Sequence, residues 1–141
     1  MSAHHLGVIR PVCVVLLALL LSGADSVSAR ADALITLHPH QGPPGTAVKV
    51  KGSGWGGMAC YPLHPAVAVS LIDSDGAVFG LGSTQPRSSG NFRITVTIPA
   101  GPSRGWGSIE ASRIVGRYPR CFLVTAQDPF KVTRAMRPEG N

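Results

Sequence analysis

Gly42-Pro-Pro-Gly-Thr-Ala-Val-Lys-Val-Lys-Gly-Ser-Gly-Trp55 is the stretch whose reading decides the fold class. Gly42 to Gly45 reads as a tight turn, because proline fixes φ near the value a turn needs and glycine tolerates φ above zero. Ala47 to Lys51 then alternates, with Ala47, Lys49 and Lys51 on one side and Val48 and Val50 on the other. That period of two predicts a half-buried strand. Gly52, Gly54, Gly56 and Gly57 end it and open a loop that runs to Pro65.

Working outward, Leu34 to His38 is a first short strand closed by Pro39. Beyond the loop, Ala66 to Ile72 is an apolar strand. Asp73-Ser-Asp-Gly76 is a hairpin turn leading to a return strand, Ala77 to Leu81. Gln85 to Ser89 is polar loop. Gly90 to Ile98 is the clearest amphipathic strand, with Phe92, Ile94, Val96 and Ile98 on one face and Arg93, Thr95 and Thr97 on the other. Pro99 to Gly107 is a Gly/Pro connection. Ser108 to Ile114 forms a less regular strand, in which Ile109, Ala111 and Arg113 alternate with Glu110, Ser112 and Ile114. A loop from Val115 to Arg120 leads to Cys121–Ala126 and Pro129–Thr133, a last strand interrupted at Asp128-Pro129. Proline cannot donate to a ladder, so that interruption belongs at a bulge or a sheet edge. No helix of useful length is predicted after residue 33. About seven short antiparallel strands in one domain predict an all-β chain folded as a β-sandwich, with an up-and-down barrel as the alternative.

The N-terminus has a different composition. His4, His5 and Arg10 precede an apolar run from Val12 to Leu21, and small polar residues follow to Ala29. This is the pattern of a secretory signal peptide, since a membrane span needs roughly 20 apolar residues. Val27-Ser-Ala29 and Ala31-Asp-Ala33 both suit a signal peptidase, with Ala29 preferred. Removing 29 or 33 of the 141 residues leaves 112 or 108, enough for one domain with a real core. The expected organisation is a signal peptide at 1–29, a sandwich at 30–134 and a flexible tail at 135–141. The product is expected to be secreted, with no membrane span once the signal is cleaved.

Of three cysteines, Cys13 lies in the signal segment, which leaves Cys60 and Cys121 for an oxidising compartment. A single disulfide follows from that even count. From Leu34 onward eleven basic residues face five acidic ones, a net charge of +6. That balance favours weak association with anionic surfaces. The basic residues are scattered, and no nucleic-acid motif interleaves them with aromatics, so specific nucleic-acid binding is not expected.

The first strand ending in proline, Gly42-Pro-Pro-Gly-Thr46, Val48-Lys-Val-Lys-Gly-Ser-Gly-Trp55, Gly90-Asn-Phe92 and Ile98-Pro-Ala-Gly101 resemble secreted bacterial immunoglobulin-like domains of the IPT/TIG type. The resemblance covers nearly the whole mature chain. It implies an immunoglobulin-like sandwich used for adhesion, spacing, or contact with proteins or carbohydrates. In that topology the Trp55–Pro65 and Val115–Arg120 loops share one end, with Cys60 and Cys121 in or beside them. Thr46 to Gly54 also resembles the strand of neocarzinostatin-type apoproteins, which carry an aromatic chromophore in a cleft. The chain differs from that family in its one long-range cysteine pair and its basic charge.

No Gly-x-Ser-x-Gly elbow places a nucleophile, so no enzymatic activity is expected. His38-Pro-His40 and the distant His64 lack a zinc spacing. Asp73-Ser-Asp-Gly76 lacks the later glutamate of a calcium loop, where Gly82 stands instead. No metal or cofactor is expected. Trp55, Tyr61, Trp106 and Tyr118 fall in or next to loops together with Arg117 and Arg120, a composition typical of binding surfaces. The predicted function is a non-enzymatic module that binds an unknown protein or cell-surface polymer through these six residues. The alternative is a small-molecule carrier of the chromophore type.

Overall fold

A computed structural model of the chain describes residues 33–57 and 59–135. The predicted signal peptide, residues 1–29, and the tail beyond residue 135 lie outside the described residues. Eight strands run in order: β1 Leu34–His38, β2 Gln41–Gly42, β3 Ala47–Ser53, β4 Val67–Ile72, β5 Val78–Thr84, β6 Phe92–Thr97, β7 Gly105–Arg117 and β8 Arg120–Val132. There is no helix among the described residues. One sheet has the order β1-β3-β6 and the other β2-β8-β7-β4-β5.

Alternation along β3 and β6 builds the inner face of the smaller sheet. Val48 and Val50 are fully buried, while Ala47, Lys49 and Lys51 are exposed. Phe92 and Val96 are buried on β6, with Ile94 half-buried between them. The facing sheet contributes Val67, Val69 and Leu71 from β4, Ile109 and Ala111 from β7, and Phe130 and Val132 from β8. These side chains form a single apolar core between the layers, the arrangement of a β-sandwich. The all-β, two-layer reading of the sequence therefore holds.

Three details differ from the sequence reading. First, the structure has eight strands rather than about seven, and one pairing is not antiparallel. The added strand is β2, whose Gln41 and Gly42 run parallel to Lys131 and Val132. Two residues leave no periodicity to read. Second, Val115 to Arg120 is not a loop. β7 continues to Arg117 and pairs with β8 down to Arg117↔Arg120, so only Tyr118 and Pro119 turn. Third, β8 runs through Asp128-Pro129 without interruption, with Pro129 opposite Ser108. The other side of β8 meets β2 only from Lys131, so the missing proline donor falls on an open strand edge.

The turns behave as their residues dictate. Thr46 N–H and Oγ1 both donate to Pro43 O, at 3.1 and 2.6 Å, closing the Gly-Pro-Pro-Gly turn. Asp73-Ser-Asp-Gly76 is a hairpin turn, with Gly76 at φ +82°. Asp73 is buried there. Its Oδ1 accepts the N–H groups of Asp75 and Ala77, both at 2.9 Å, and its Oδ2 accepts Ser103 N–H at 2.9 Å. The Ser103 bond, helped by those from within the turn, holds the carboxyl below the usual carboxylate range despite burial.

Candidate functional site

The β7–β8 hairpin extends past the core and meets the β3–β4 loop. Four kinds of contact join them. The Cys60–Cys121 disulfide spans a Cα–Cα distance of 5.6 Å. Ala59 bridges Val115 in antiparallel fashion and Tyr61 bridges Arg117 in parallel. Cys60 N–H donates to Ile114 O, and Tyr118 N–H to Tyr61 O, both at 3.2 Å. At the root of the loop, Arg113 Nη1 donates to Trp55 O at 2.9 Å and Nε to Pro65 O at 3.1 Å. The loop is thus held at its tip by sulfur and at both roots by one guanidinium.

Arg113 sits on the core face of β7, in line with Ile109 and Ala111, and is 8 % exposed. Burial pushes its pKa down from the ordinary value for arginine. Two carbonyls satisfy a cation at that position where a carboxylate partner is the more familiar arrangement. The sequence reading did not select Arg113, although the signal was present: a charge falling on the apolar side of the Ile109-Ala111-Arg113 alternation.

The six residues singled out from the sequence separate into three groups. Tyr61, Arg117, Tyr118 and Arg120 come together at the disulfide end. Tyr61 is 54 % and Tyr118 70 % exposed, so both face solvent. Tyr61 meets His64 edge to face at 5.5 Å. Trp55 is not at the surface. It is 2 % exposed, its Nε1 donates to Leu34 O at 3.0 Å, and its ring stands against Phe92 at 5.6 Å and 66°. Trp106 is exposed but lies at the other end of the hairpin, opposite Lys131, whose ammonium is 5.9 Å from the indole centroid. Eleven residues of strand separate it from Arg117, roughly 36 Å.

The disulfide end also carries apolar residues that sequence reasoning passed over. Leu63, Ile114, Phe122 and Leu123 are exposed there, and Ile114 and Leu123 face each other across the hairpin. Together with Tyr61 and Tyr118 they make six of the nine large hydrophobic side chains exposed among the described residues. Ile114 and Leu123 share one face of the hairpin, while Phe122, opposite Val115, lies on the other. No acidic residue lies in either segment, 59–64 or 114–123.

Among the described residues no group of three His, Cys, Asp or Glu side chains converges on a metal-sized site. His40 is instead paired with Asp128 at 3.4 Å, and that carboxylate also accepts Leu37 N–H at 3.2 Å. No protein-family model matches the chain, and no curated protein sequence matches it.

Proposed function

We propose that the protein is an exported, non-enzymatic, immunoglobulin-like module that binds a partner protein through the disulfide end of its sandwich. The observation that carries this reading is the convergence of Tyr61, Leu63, Ile114, Tyr118, Phe122 and Leu123 on two segments joined by Cys60–Cys121. Aromatic anchors beside arginines are the composition of interface hot spots. Arg117 and Arg120, with no acid among them, favour a partner whose surface is apolar with an acidic margin.

The strand order supports the immunoglobulin-like part. β1 and β2 correspond to a first strand shared between the sheets, β3 to B, β4 and β5 to C and C′, β6 to E, β7 to F and β8 to G. Three strands, A, B and E, then face the remaining five. A long-range disulfide between loop and hairpin fits an oxidising compartment and supports export.

The test places a photo-reactive amino acid at Tyr118 and, separately, at Val78, which is exposed on β5. The protein is incubated with its producing cells and irradiated. Cross-links from position 118 that vanish when Tyr61, Arg117 and Arg120 are changed to alanine support the module. Equal cross-linking from both positions sinks it. A small molecule released from the native protein on denaturation, seen by intact mass, favours the carrier instead.

A further inference from the structure

The outer face of the smaller sheet carries a second, independent surface. β3 is its central strand, and Lys49 and Lys51 both point outward from it. Register places Thr36, Lys51 and Arg93 in one row across the sheet and His38, Lys49 and Thr95 in the next. Neighbouring rows on one face are roughly 7 Å apart along the strand, and partners within a row roughly 5 Å apart. No acidic side chain falls on this face among β1, β3 and β6. The only ion pair among the described residues, His40 with Asp128, lies elsewhere.

This arrangement disfavours folding. Lys51 stands directly opposite Arg93, and like charges in direct register destabilise a sheet. Lysines that guard a sheet against aggregation belong on edge strands, yet β3 is central. Surfaces ordinarily intersperse both signs. An anion laid along the face would remove the repulsion and gain three cations at once. A shallow, half-open depression of about 250 Å³ lies among Lys49, Lys51, Arg93 and Thr95 on this face. Small-molecule pockets are larger and mostly apolar, so this one suits charged groups rather than a drug-sized ligand.

We infer that this face binds a linear phosphate polymer that carries no bases. The face has no Phe, Tyr or Trp on which bases could stack, which speaks against single-stranded nucleic acid. It presents threonines and alanine between the cations rather than a row of large apolar side chains for insertion, which speaks against a bilayer. A flexible chain with one charge per phosphate matches rows of cations at sheet spacing. The surface is separate from the disulfide end, so either assignment can fail alone.

The experiment titrates the full mature chain with long-chain sodium polyphosphate by calorimetry at several salt concentrations. Wild type is expected to bind with log K falling against log salt at a slope near −2, as roughly three phosphate contacts dictate. Lys49→Gln/Lys51→Gln/Arg93→Gln should lose at least ~10-fold in affinity, while Arg117→Gln/Arg120→Gln keeps it. Without polymer the triple variant should unfold at the same or higher temperature than wild type, since the Lys51/Arg93 repulsion is gone. Polyphosphate should raise the wild-type unfolding temperature only. Unchanged affinity in the triple variant overturns the inference. So does tighter binding to single-stranded DNA of equal phosphate number, or binding to anionic lipid vesicles in the absence of polyphosphate binding.

Discussion

Arg113 Nη1 donates to the carbonyl oxygen of Trp55 at 2.9 Å, so a cation buried on the core face of β7 holds the root of a loop whose tip is held by a disulfide. The same guanidinium reaches Pro65 O through Nε. Its planar fork fixes the separation of the two loop roots, a task for which lysine has no equivalent geometry. The exposed aromatic end is therefore mounted on a rigid base, and a rigid base lowers the ordering cost of binding.

Replacing Arg113 tests that mounting. Arg113→Met takes the guanidinium from Pro65 O and leaves Trp55 O with Gly57 N–H alone, but also removes a desolvated charge, and the net loss is expected at about 2 kcal/mol. Arg113→Lys recovers only part of it. Urea midpoints give the stability, and amide exchange across residues 55–65 should accelerate in both variants. Wild-type exchange in that segment of Arg113→Met would show that the guanidinium does not hold the loop.

The disulfide acts on the other end of the same loop. Cys60 and Cys121 are 61 residues apart, so cross-linking them removes chain entropy from the unfolded state worth about 4 kcal/mol. Cys60→Ser/Cys121→Ser is expected to lower the urea midpoint strongly while keeping the far-ultraviolet spectrum of a sandwich. The core residues Val48, Val50, Leu71 and Ile109 come from strands that carry neither cysteine, and Phe130 lies far along β8 from Cys121. A variant that loses all β structure in buffer would mean the core cannot hold the layers alone.

Particular residues explain what the sequence made legible. Ala47 to Lys51 and Phe92 to Ile98 alternate cleanly, because each packs one face on the core and leaves the other in water. Their strands were readable to within a residue or two. β7 and β8 were harder. Gly116 and Pro119 near their junction imitate a loop, while the ladder there is sustained by pairing between the strands rather than by burial. Tyr61, Arg117, Tyr118 and Arg120 could be grouped because loop residues with those chemistries end up at strand ends. Trp55 could not be sorted from them, because its burial depends on Leu34 O and Phe92, contacts that lie far away in the chain. Nor could the row Thr36, Lys51, Arg93, which exists only once three strands are in register.

Gly52 and Phe92 form a cross-strand pair in which the ring occupies the space a side chain would need. A Cβ on Gly52 would overlap the Phe92 ring. Gly52→Ala must displace that ring and disturb its edge-on contact with Trp55, at an expected loss of about 1–3 kcal/mol. Gly52→Ala/Phe92→Leu should be less destabilised than the two single changes added together, because the smaller side chain leaves room for the methyl. Thermal unfolding of the four proteins checks this, and simple additivity would mean that the ring and the glycine do not compete for space.

Asp73 gives the protein a predictable acid limit. Its folded pKa is depressed, chiefly by Ser103 N–H, so the carboxylate contributes stability that is fully present above the unfolded value of about 3.9. That contribution fades as pH falls below 4 and is gone once the folded carboxyl protonates. Asn in its place keeps one acceptor oxygen for the turn but turns a donor toward Ser103 N–H, so Asp73→Asn should be less stable than wild type at pH 7. The gap should close as pH drops, because wild type loses its carboxylate while the variant has none to lose. Urea midpoints measured from pH 7 to pH 2 read both curves. Parallel curves across that range would assign the acid sensitivity to other carboxylates.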